Sequence, residues 1–409
     1  MSDAATELVT AEGIRAARER IRDSIRLTPL LRKQTLEPLV GHPVYLKCEH
    51  LQRTGSFKLR GALNLIAQLT QEERARGVVA ASAGNHAQGV AVAAAEYGVD
   101  ATIFMPSDAS LAKVEATRNY GATVVLEGAH LSGALEAARA FCTERGAVFV
   151  HPFDDPRIVE GQGTLGLELI DQLPAMRTVV IPIGGGGLAA GVAAALRDHD
   201  RDVRIIGVQA AACPSLQAAL AAHAPVLVDA GPSMADGIAV KQVGELPLAM
   251  LEGVLDDLVL VTEAEISTAI LWSMERAKQV LEGAGAAGLA ALLAGKVQSD
   301  GPVIVVGGGG NVDPAALMSV IRHGLTAAGR YHYVGTALPD RPGELSRLMA
   351  LLAEHRVNVL SVEHHREGVH VNFGETRVDL TLQTRNQAHV HEVEAALESA
   401  GYTILTSGR

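Results

Sequence analysis

A lysine follows a short Gly-Ser-Phe segment early in the chain and opens a predicted helix. It is Lys58, directly after Phe57 and before Leu-Arg-Gly-Ala-Leu-Asn. A lysine in a confined place can lose its charge and form a Schiff base with a carbonyl compound. Lysines are common in first helical turns, so local features alone favour an ordinary surface lysine. The chemical interpretation depends on the residues that accompany Lys58.

Consecutive glycines follow the predicted strand Val179–Ile183, at the start of a predicted helix. The segment reads Gly184, Gly185, Gly186, Gly187, Leu188. Backbone N–H groups that are free of side chains at a helix N-terminus can bind a phosphate. Close packing of the helix would be the purely structural reason for such glycines.

The same glycines also fit the dinucleotide motif G-x-G-x-x-A. That motif requires an acidic residue at the end of the next strand, ~20 residues on, and Gln209 stands there. No Lys-Ser or Lys-Thr pair follows the glycines, as a triphosphate-binding loop requires. A single phosphate group is the better fit.

Two other segments follow predicted strands. The strand Val78–Ala81 leads into Ser82, Ala83, Gly84, Asn85 and His86. Small side chains and free amides at the carboxyl end of a strand can hold a carboxylate, although Ser82 and Asn85 could simply cap the next helix. The strand Val303–Val306 leads into four glycines that include Gly308, which would let a ring approach the backbone closely.

Short β-branched runs alternate with helical stretches up to about Tyr331, which predicts an α/β fold with parallel sheets covered by helices. The remaining residues read β-α-β-β-α-β, the ferredoxin-like pattern. We therefore predict an α/β body over residues 1–325, a linker over 326–330 and a separate C-terminal domain over 331–409.

Composition limits the possible partners and locations. The net charge is −11, without a basic run, which argues against nucleic acid and anionic membranes as partners. Three cysteines without paired spacing indicate a reducing cytoplasm and neither disulfides nor zinc. The N-terminus has no secretion signal, and the uncharged stretch Val179–Leu196 contains a proline and four successive glycines, so it reads as strand, loop and helix.

Together these segments resemble the fold-type II pyridoxal-phosphate enzymes, and among them the threonine dehydratases (threonine ammonia-lyases) with one C-terminal ACT-like domain. The resemblance spans nearly the whole chain and implies two parallel-type α/β lobes followed by a βαββαβ ACT domain. It rests on seven motifs: Gly55-Ser-Phe-Lys-Leu-Arg-Gly61, Ser82-Ala-Gly-Asn-His-Ala-Gln-Gly89, His151-Pro-Phe-Asp-Asp-Pro156, Gly161-Gln-Gly-Thr164, Gly184-Gly-Gly-Gly-Leu188, Ala235-Asp-Gly-Ile238 and Glu282-Gly-Ala-Gly285.

The resemblance implies deamination of L-threonine to 2-oxobutanoate and ammonia, with L-serine as a poorer substrate, in isoleucine biosynthesis or threonine catabolism. Lys58 would carry pyridoxal 5'-phosphate and remove the Cα proton. Phe57 would lie beside the cofactor, Asn85 would contact its ring hydroxyl, and Gly184 to Leu188 would hold its phosphate. The loop from Ser82 to His86 would bind the substrate carboxylate.

Two departures from the family pattern affect expected ligands. Gly308 stands where the family usually has a serine or threonine facing the pyridine nitrogen. Gln209 stands where relatives with a divalent-ion site have an acidic residue, so we expect no magnesium or calcium dependence. A monovalent ion held by backbone carbonyls stays open.

The tail carries a segment that resembles the ACT ligand loop: Asp340, Arg341, Pro342 and Gly343. The resemblance implies an amino-acid effector, with isoleucine as inhibitor and valine as antagonist, and assembly as a homodimer or homotetramer. Pro342 is also an ordinary first residue of a helix.

Four other functions fit the sequence less well. A serine racemase or dehydratase shares the fold, but similar racemases have a serine where Ala83 stands, and alanine cannot transfer a proton. A sulfhydrylase needs a different substrate loop and normally lacks the ACT tail. A non-catalytic sensor conflicts with the intact Lys58 and Asn85, and a nicotinamide dehydrogenase conflicts with Gln209.

Overall fold

The first part of the chain forms two mainly parallel sheets. The structure, a computed structural model, describes residues 9–366 and 372–405. The chain divides into two units between Leu317 and Met318. The strands of the first unit are β1 (Leu30–Arg32), β2 (Val44–Lys47), β3 (Val78–Ala81), β4 (Ala101–Met105), β5 (Thr123–Leu126), β6 (Val148–Phe149), β7 (Thr178–Pro182), β8 (Arg204–Ala210), β9 (Asp257–Val261) and β10 (Val303–Val306).

The larger sheet has the order β1-β2-β10-β7-β8-β9 and the smaller one β5-β4-β3-β6. Within the first unit's described pairs, all are parallel except β1 with β2, an antiparallel edge that the alternation did not predict. Strands β3, β7 and β10 are buried along their whole length, which explains their continuous apolar sequences. The α/β prediction is confirmed.

Helices cover both sheets. The long helix Pro156–Gln172 packs between Lys58–Ala67 and Gly187–His199. It begins where the Asp155 side chain accepts a hydrogen bond from the Arg157 N–H, with Pro156 in the first turn. The other helices of four or more residues in this unit are Ala11–Ile21, Glu37–Val40, Gln71–Arg76, Asn85–Glu96, Leu111–Asn119, Leu131–Arg145, Ser215–Ala222, Glu245–Leu251, Glu263–Trp272, the π-helix Ser273–Ala277 and Gly283–Leu293. The helix Pro314–Ala327 begins in the first unit and ends in the second.

The sheet topology places the predicted chemistry at strand ends. Ser82 follows β3, the segment 184–187 follows β7, and the segment 307–310 follows β10. In open α/β sheets ligands bind beyond the carboxyl ends of the strands. Strand β6 ends at Phe149, and His151 and Pro152 after it belong to a turn.

The second unit is an antiparallel sheet with helices. Its strands are β11 (Tyr331–Pro339), β12 (Asn358–His365), β13 (Glu375–Gln383) and β14 (Ile404–Leu405), in the order β12-β13-β11-β14. Its own helices are Glu344–Glu354 and Gln387–Ser399, and its core includes Val334, Leu348, Leu380 and Leu397. The βαββαβ prediction is confirmed, although parts of the predicted third and last strands lie outside the described residues.

The first of these helices begins at Glu344 rather than at Pro342. Gly343 precedes the helix and has φ +93°, a left-handed backbone conformation. Because this conformation is not helical, the helix does not extend back to Pro342. Among the described residues, none of the helices is both long and apolar enough to cross a membrane.

Candidate active site

Lys58 is the first residue of its helix, and its amine points to a turn in a distant segment. Lys58 Nζ donates a hydrogen bond to the Pro152 carbonyl at 2.8 Å and lies 5.2 Å from the centre of the Phe57 ring. Burial lowers the pKa of Lys58 to about 8, while the Glu282 carboxylate opposes the shift. The amine is therefore far more nucleophilic at neutral pH than a surface lysine.

The glycine segment after β7 is shaped by close contact with Phe153. A Cβ atom on Gly185 would lie 2.2 Å from Phe153 Cδ1, and Gly186 has φ +94°. The helix begins at Gly187, so the N–H groups of its first turn have no partner within the helix. These N–H groups and the helix dipole favour an anion such as phosphate.

The loop after β3 does not cap its helix in the usual way. That helix begins at Asn85, and Gly84 precedes it without a side-chain hydrogen bond to the helix. Ser82 Oγ instead accepts a hydrogen bond from the Gly84 N–H at 3.2 Å. Neither Ser82 nor Asn85 therefore caps this helix with its side chain, and Ala83 lies between them, partly exposed.

His86, the last residue of this loop, is buried. Its Nε2 lies 2.8 Å from the Val150 carbonyl and donates to it. Burial and the nearby Lys58 lower the pKa of His86 to about 3, so the ring is neutral at physiological pH. In this arrangement Nδ1 of His86 is an acceptor rather than a cation for a carboxylate.

Glu282 begins one of the seven sequence motifs, but the sequence did not predict a role for it. Its Oε1 accepts a hydrogen bond from Asn85 Nδ2 at 2.7 Å, and the residue is only 7% exposed. Burial, assisted by Asp236, raises the pKa of Glu282 to about 7. A single carboxylate between Leu281 and a Gly/Ala-rich helix is the signal that could have identified it.

Gly308 lies directly beside Phe57. The Gly308 carbonyl accepts a hydrogen bond from the Phe57 N–H at 3.1 Å, and a Cβ on Gly308 would lie 3.4 Å from Phe57 Cδ1. The backbone thus closes one side of the site without a hydroxyl side chain at this position.

A buried ionic network supports the helix of Lys58, and the sequence did not predict it. Arg60 is completely buried, contacts both Glu49 oxygens at 2.8 and 2.9 Å, and contacts Glu168 at 2.8 Å. Lys47 lies 2.5 Å from the other Glu168 oxygen. Each charge in this network has a partner of opposite sign, because an unpaired charge buried this deeply would strongly destabilise the fold.

Gln209 is also buried and serves the fold. Its Oε1 accepts hydrogen bonds from the N–H groups of Leu216 and Gln217 at 3.0 and 3.1 Å, at the start of the next helix. The described residues contain no group of three or more His, Cys, Asp or Glu side chains arranged for a metal ion.

The candidate effector residues belong to the second unit. Asp340, Arg341, Pro342 and Gly343 are exposed between β11 and the helix Glu344–Glu354. The Asp340 carboxylate lies 3.5 Å from the guanidinium of Arg366.

The first unit thus combines a lysine with a lowered pKa, a glycine segment suited to one phosphate and a fixed amide at Asn85. A cofactor with an aldehyde and a single phosphate fits these groups, because the lysine can bind the aldehyde and the N–H groups the phosphate. Pyridoxal phosphate has both.

Comparison with known proteins agrees with this geometry. Residues 21–309 match the pyridoxal-phosphate dependent enzyme family and residues 332–401 match the ACT domain. The L-threonine ammonia-lyase of Thermotoga maritima is 46% identical over 402 residues, covering 98% of this chain and 100% of that protein. The L-threonine ammonia-lyase of Geobacter sulfurreducens is 45% identical and covers 96% of this chain and 98% of its own.

Solved structures agree as well. The processed threonine deaminase isoform 2 of Solanum lycopersicum has a TM-score of 0.74 at 35% identity, covering 79% of this chain and 94% of that one. Maize serine racemase has a TM-score of 0.72 at 32% identity, covering 78% and 98%. The family match covers well over half of the chain, and the relatives match it over nearly their whole length. This chain therefore belongs to the family of pyridoxal-phosphate dependent enzymes.

Proposed function

We propose that this enzyme deaminates L-threonine to 2-oxobutanoate and ammonia, with L-serine as a poorer substrate. The observation that carries the proposal is the Lys58 amine, held at 2.8 Å from the Pro152 carbonyl with its pKa lowered to about 8. Support also comes from the two L-threonine ammonia-lyases that match over at least 96% of this chain.

The chain's own residues would hold the cofactor as follows. Lys58 binds its aldehyde, the N–H groups of residues 184–188 bind its phosphate, and Asn85 donates to its ring hydroxyl. Phe57 and Gly308 line the ring. When bound, pyridoxal phosphate withdraws electrons from the Cα atom of an attached amino acid.

Lys58 would have a second role, as the base toward the substrate. Its free amine would take the Cα proton at Nζ, and its lowered pKa keeps part of the amine neutral at physiological pH. The substrate carboxylate lies against the loop from Ser82 to His86, where N–H groups at the start of a helix favour an anion. The threonine hydroxyl leaves Cβ with one proton as water, and hydrolysis then consumes one water and gives 2-oxobutanoate and ammonia.

Ala83 separates this proposal from serine racemisation. Racemisation requires a proton donor on the face opposite Lys58, and a methyl side chain donates no proton. Maize serine racemase shares the fold with this chain, so the fold alone does not decide between the reactions.

The domain boundaries, the effector and the assembly are part of the same proposal. Residues 1–325 carry catalysis, 326–330 link, and 331–409 bind an amino-acid effector through Asp340, Arg341, Pro342 and Gly343. Isoleucine inhibits the enzyme, and valine counteracts this inhibition. The enzyme works in the cytoplasm as a homodimer or homotetramer, without nucleic acid or membrane as partner.

Product analysis tests the reaction. Purified enzyme with pyridoxal phosphate is given L-threonine or L-serine, and 2-oxo acid, ammonia and D-serine are measured together. We expect 2-oxobutanoate and ammonia in equal amounts, slower turnover of serine and little D-serine. Substantial D-serine from the unmodified enzyme would overturn the assignment in favour of a racemase.

A further inference from the structure

The turn from His151 to Asp155 is held together by an imidazole. His151 Nδ1 accepts hydrogen bonds from the N–H groups of Phe153 and Asp154 at 3.3 and 2.8 Å. The ring also meets the edges of two aromatic rings, with centroids 6.0 Å from Phe149 and 4.7 Å from Phe153. The imidazole thus fixes the backbone of the two residues that follow Pro152.

This turn contacts two parts of the candidate site and the start of a neighbouring helix. The Pro152 carbonyl accepts from Lys58 Nζ at 2.8 Å. Phe153 lies against the glycine segment, where a Cβ on Gly185 would be 2.2 Å from its ring. The Asp154 carboxylate accepts from the N–H groups of Glu245 and Leu246 at 3.1 and 3.0 Å, at the start of a helix. A shift of the turn would therefore move the acceptor of Lys58 and the wall of the phosphate site together.

The two hydrogen bonds define which nitrogen of the His151 ring carries the proton. Because Nδ1 accepts, the proton of the neutral imidazole is on Nε2. Burial lowers the pKa of His151 to about 4; Asp154 and Asp155 oppose the shift, while Lys58 and Arg139 support it. The ring therefore stays neutral throughout the physiological pH range and continues to accept.

We propose that His151 is a positioning residue for the reaction at Lys58. By accepting hydrogen bonds from the N–H groups of Phe153 and Asp154, the His151 ring keeps the Pro152 carbonyl in hydrogen-bond contact with the Lys58 amine. It also keeps Phe153 packed against the glycine segment. An amine that gives one N–H to a fixed carbonyl has its lone pair confined to the remaining directions. Misplacement of a reacting group by about 1 Å can lower a rate by about a hundredfold. The inference rests on the proposed function in taking Lys58 as the reacting amine.

Two substitutions separate the acceptor from the ring. His151→Asn removes the ring but supplies Oδ1, which accepts from backbone N–H groups two residues on. His151→Phe keeps an aromatic ring beside Phe149 and Phe153 but has no acceptor. We expect kcat with L-threonine to fall about tenfold to a hundredfold in His151→Phe and only a few-fold in His151→Asn, with KM changed less than kcat. Equal losses in the two variants, or an unchanged His151→Phe, would overturn the proposal.

Two measurements do not depend on activity. Amide hydrogen exchange at Phe153 and Asp154 should be faster in His151→Phe than in the wild type, and close to the wild-type rate in His151→Asn. In the wild-type holoenzyme, ¹⁵N spectra should show His151 with Nε2 protonated and Nδ1 unprotonated between pH 6 and pH 8. A proton on Nδ1 in that range would overturn the proposal even if neither variant folds.

These results remain distinct from a failure of the proposed function. A wild-type enzyme that releases no ammonia from threonine would contradict the deaminase assignment. The nitrogen spectra and amide exchange would still show whether His151 holds the turn against Lys58.

Discussion

Asn85 and Glu282 are 197 residues apart in the sequence and are joined by a hydrogen bond of 2.7 Å from Asn85 Nδ2 to Glu282 Oε1. At the other end of the same amide, Asn85 Oδ1 accepts from Asn311 Nδ2 at 2.7 Å. Asn311 must donate there, since its Nδ2 also donates to the Thr54 carbonyl. The orientation of the Asn85 amide is thereby set, and its second N–H can donate to a bound ligand.

Glu282→Gln should change how stability depends on pH. Burial raises the pKa of Glu282 to about 7 in the folded protein, above its ordinary value of 4.5. Between these values Glu282 binds more protons in the folded state than in the unfolded state, so its contribution to the free energy of unfolding falls as pH rises through that window. The free energy of unfolding of the wild type relative to that of Glu282→Gln, measured with urea, should therefore decrease by about 1 to 3 kcal/mol between pH 5 and pH 8, since the buried His86 and His151 affect both proteins alike. Parallel pH curves for the two proteins would contradict this expectation.

The Lys58 amine should react with its cofactor over an unusual pH range. Because burial lowers the pKa of Lys58 from 10.5 to about 8, the neutral amine becomes abundant at a pH more than two units lower than in an ordinary lysine. In enzyme stripped of pyridoxal phosphate, the rate of cofactor attachment should rise with pH to a half-maximum near 8, as followed by visible absorbance. A rate that continues to rise towards pH 10 would show that Lys58 has an ordinary pKa.

Gly308→Ser should be tolerated. A Cβ at Gly308 meets Phe57 at an ordinary 3.4 Å, so a hydroxyl at the position where the family usually has one fits with a stability change below about 1 kcal/mol. We expect cofactor binding to stay the same or become tighter in an absorbance titration. Gly309→Ser is the matched control, because its Cβ would lie 2.3 Å from Glu282 Oε1 and should cost about 1 to 3 kcal/mol. Equal destabilisation by the two serines would contradict the structure.

Arg60→Met should destabilise the protein by about 3 to 5 kcal/mol, since it leaves the buried carboxylate of Glu49 without its main partner. Arg76→Met is the control: its ion pair with Glu72 is on the surface, and its loss should change the free energy of unfolding by less than about 0.5 kcal/mol. Urea denaturation of both variants measures the difference. Similar effects at the two positions would argue against the buried network as described.

Removal of the residues after Arg330 should leave an active enzyme and abolish the proposed response to isoleucine. Asp340 and its neighbours lie in the second unit, which has its own core. An effector acts only if it binds two states of the protein unequally, so loss of its site should abolish the response. Titration of isoleucine against full-length and truncated enzyme checks this. Equal inhibition of both would place the effector site in the catalytic body.

The sequence predicted what local patterns encode. Lys58, the glycines after β7 and the alternation of strands and helices are visible within windows of about ten to twenty residues. Other contacts join segments that only the folded chain brings together. They are the hydrogen bond from Asn85 to Glu282, the ion pairs of Arg60 and the hydrogen bond from Lys58 to the Pro152 carbonyl. The antiparallel strand β1 was missed for a related reason: its three residues pair with β2 at a sheet edge and carry no periodic signal.

The central claim is that Lys58 is the amine that binds pyridoxal phosphate and removes the substrate proton. Borohydride reduction of the holoenzyme, followed by peptide mapping, would locate the attached cofactor directly. We predict a single label on Lys58, and loss of both the label and ammonia release in Lys58→Ala. A label on another lysine, or near wild-type ammonia release from Lys58→Ala, would contradict the account.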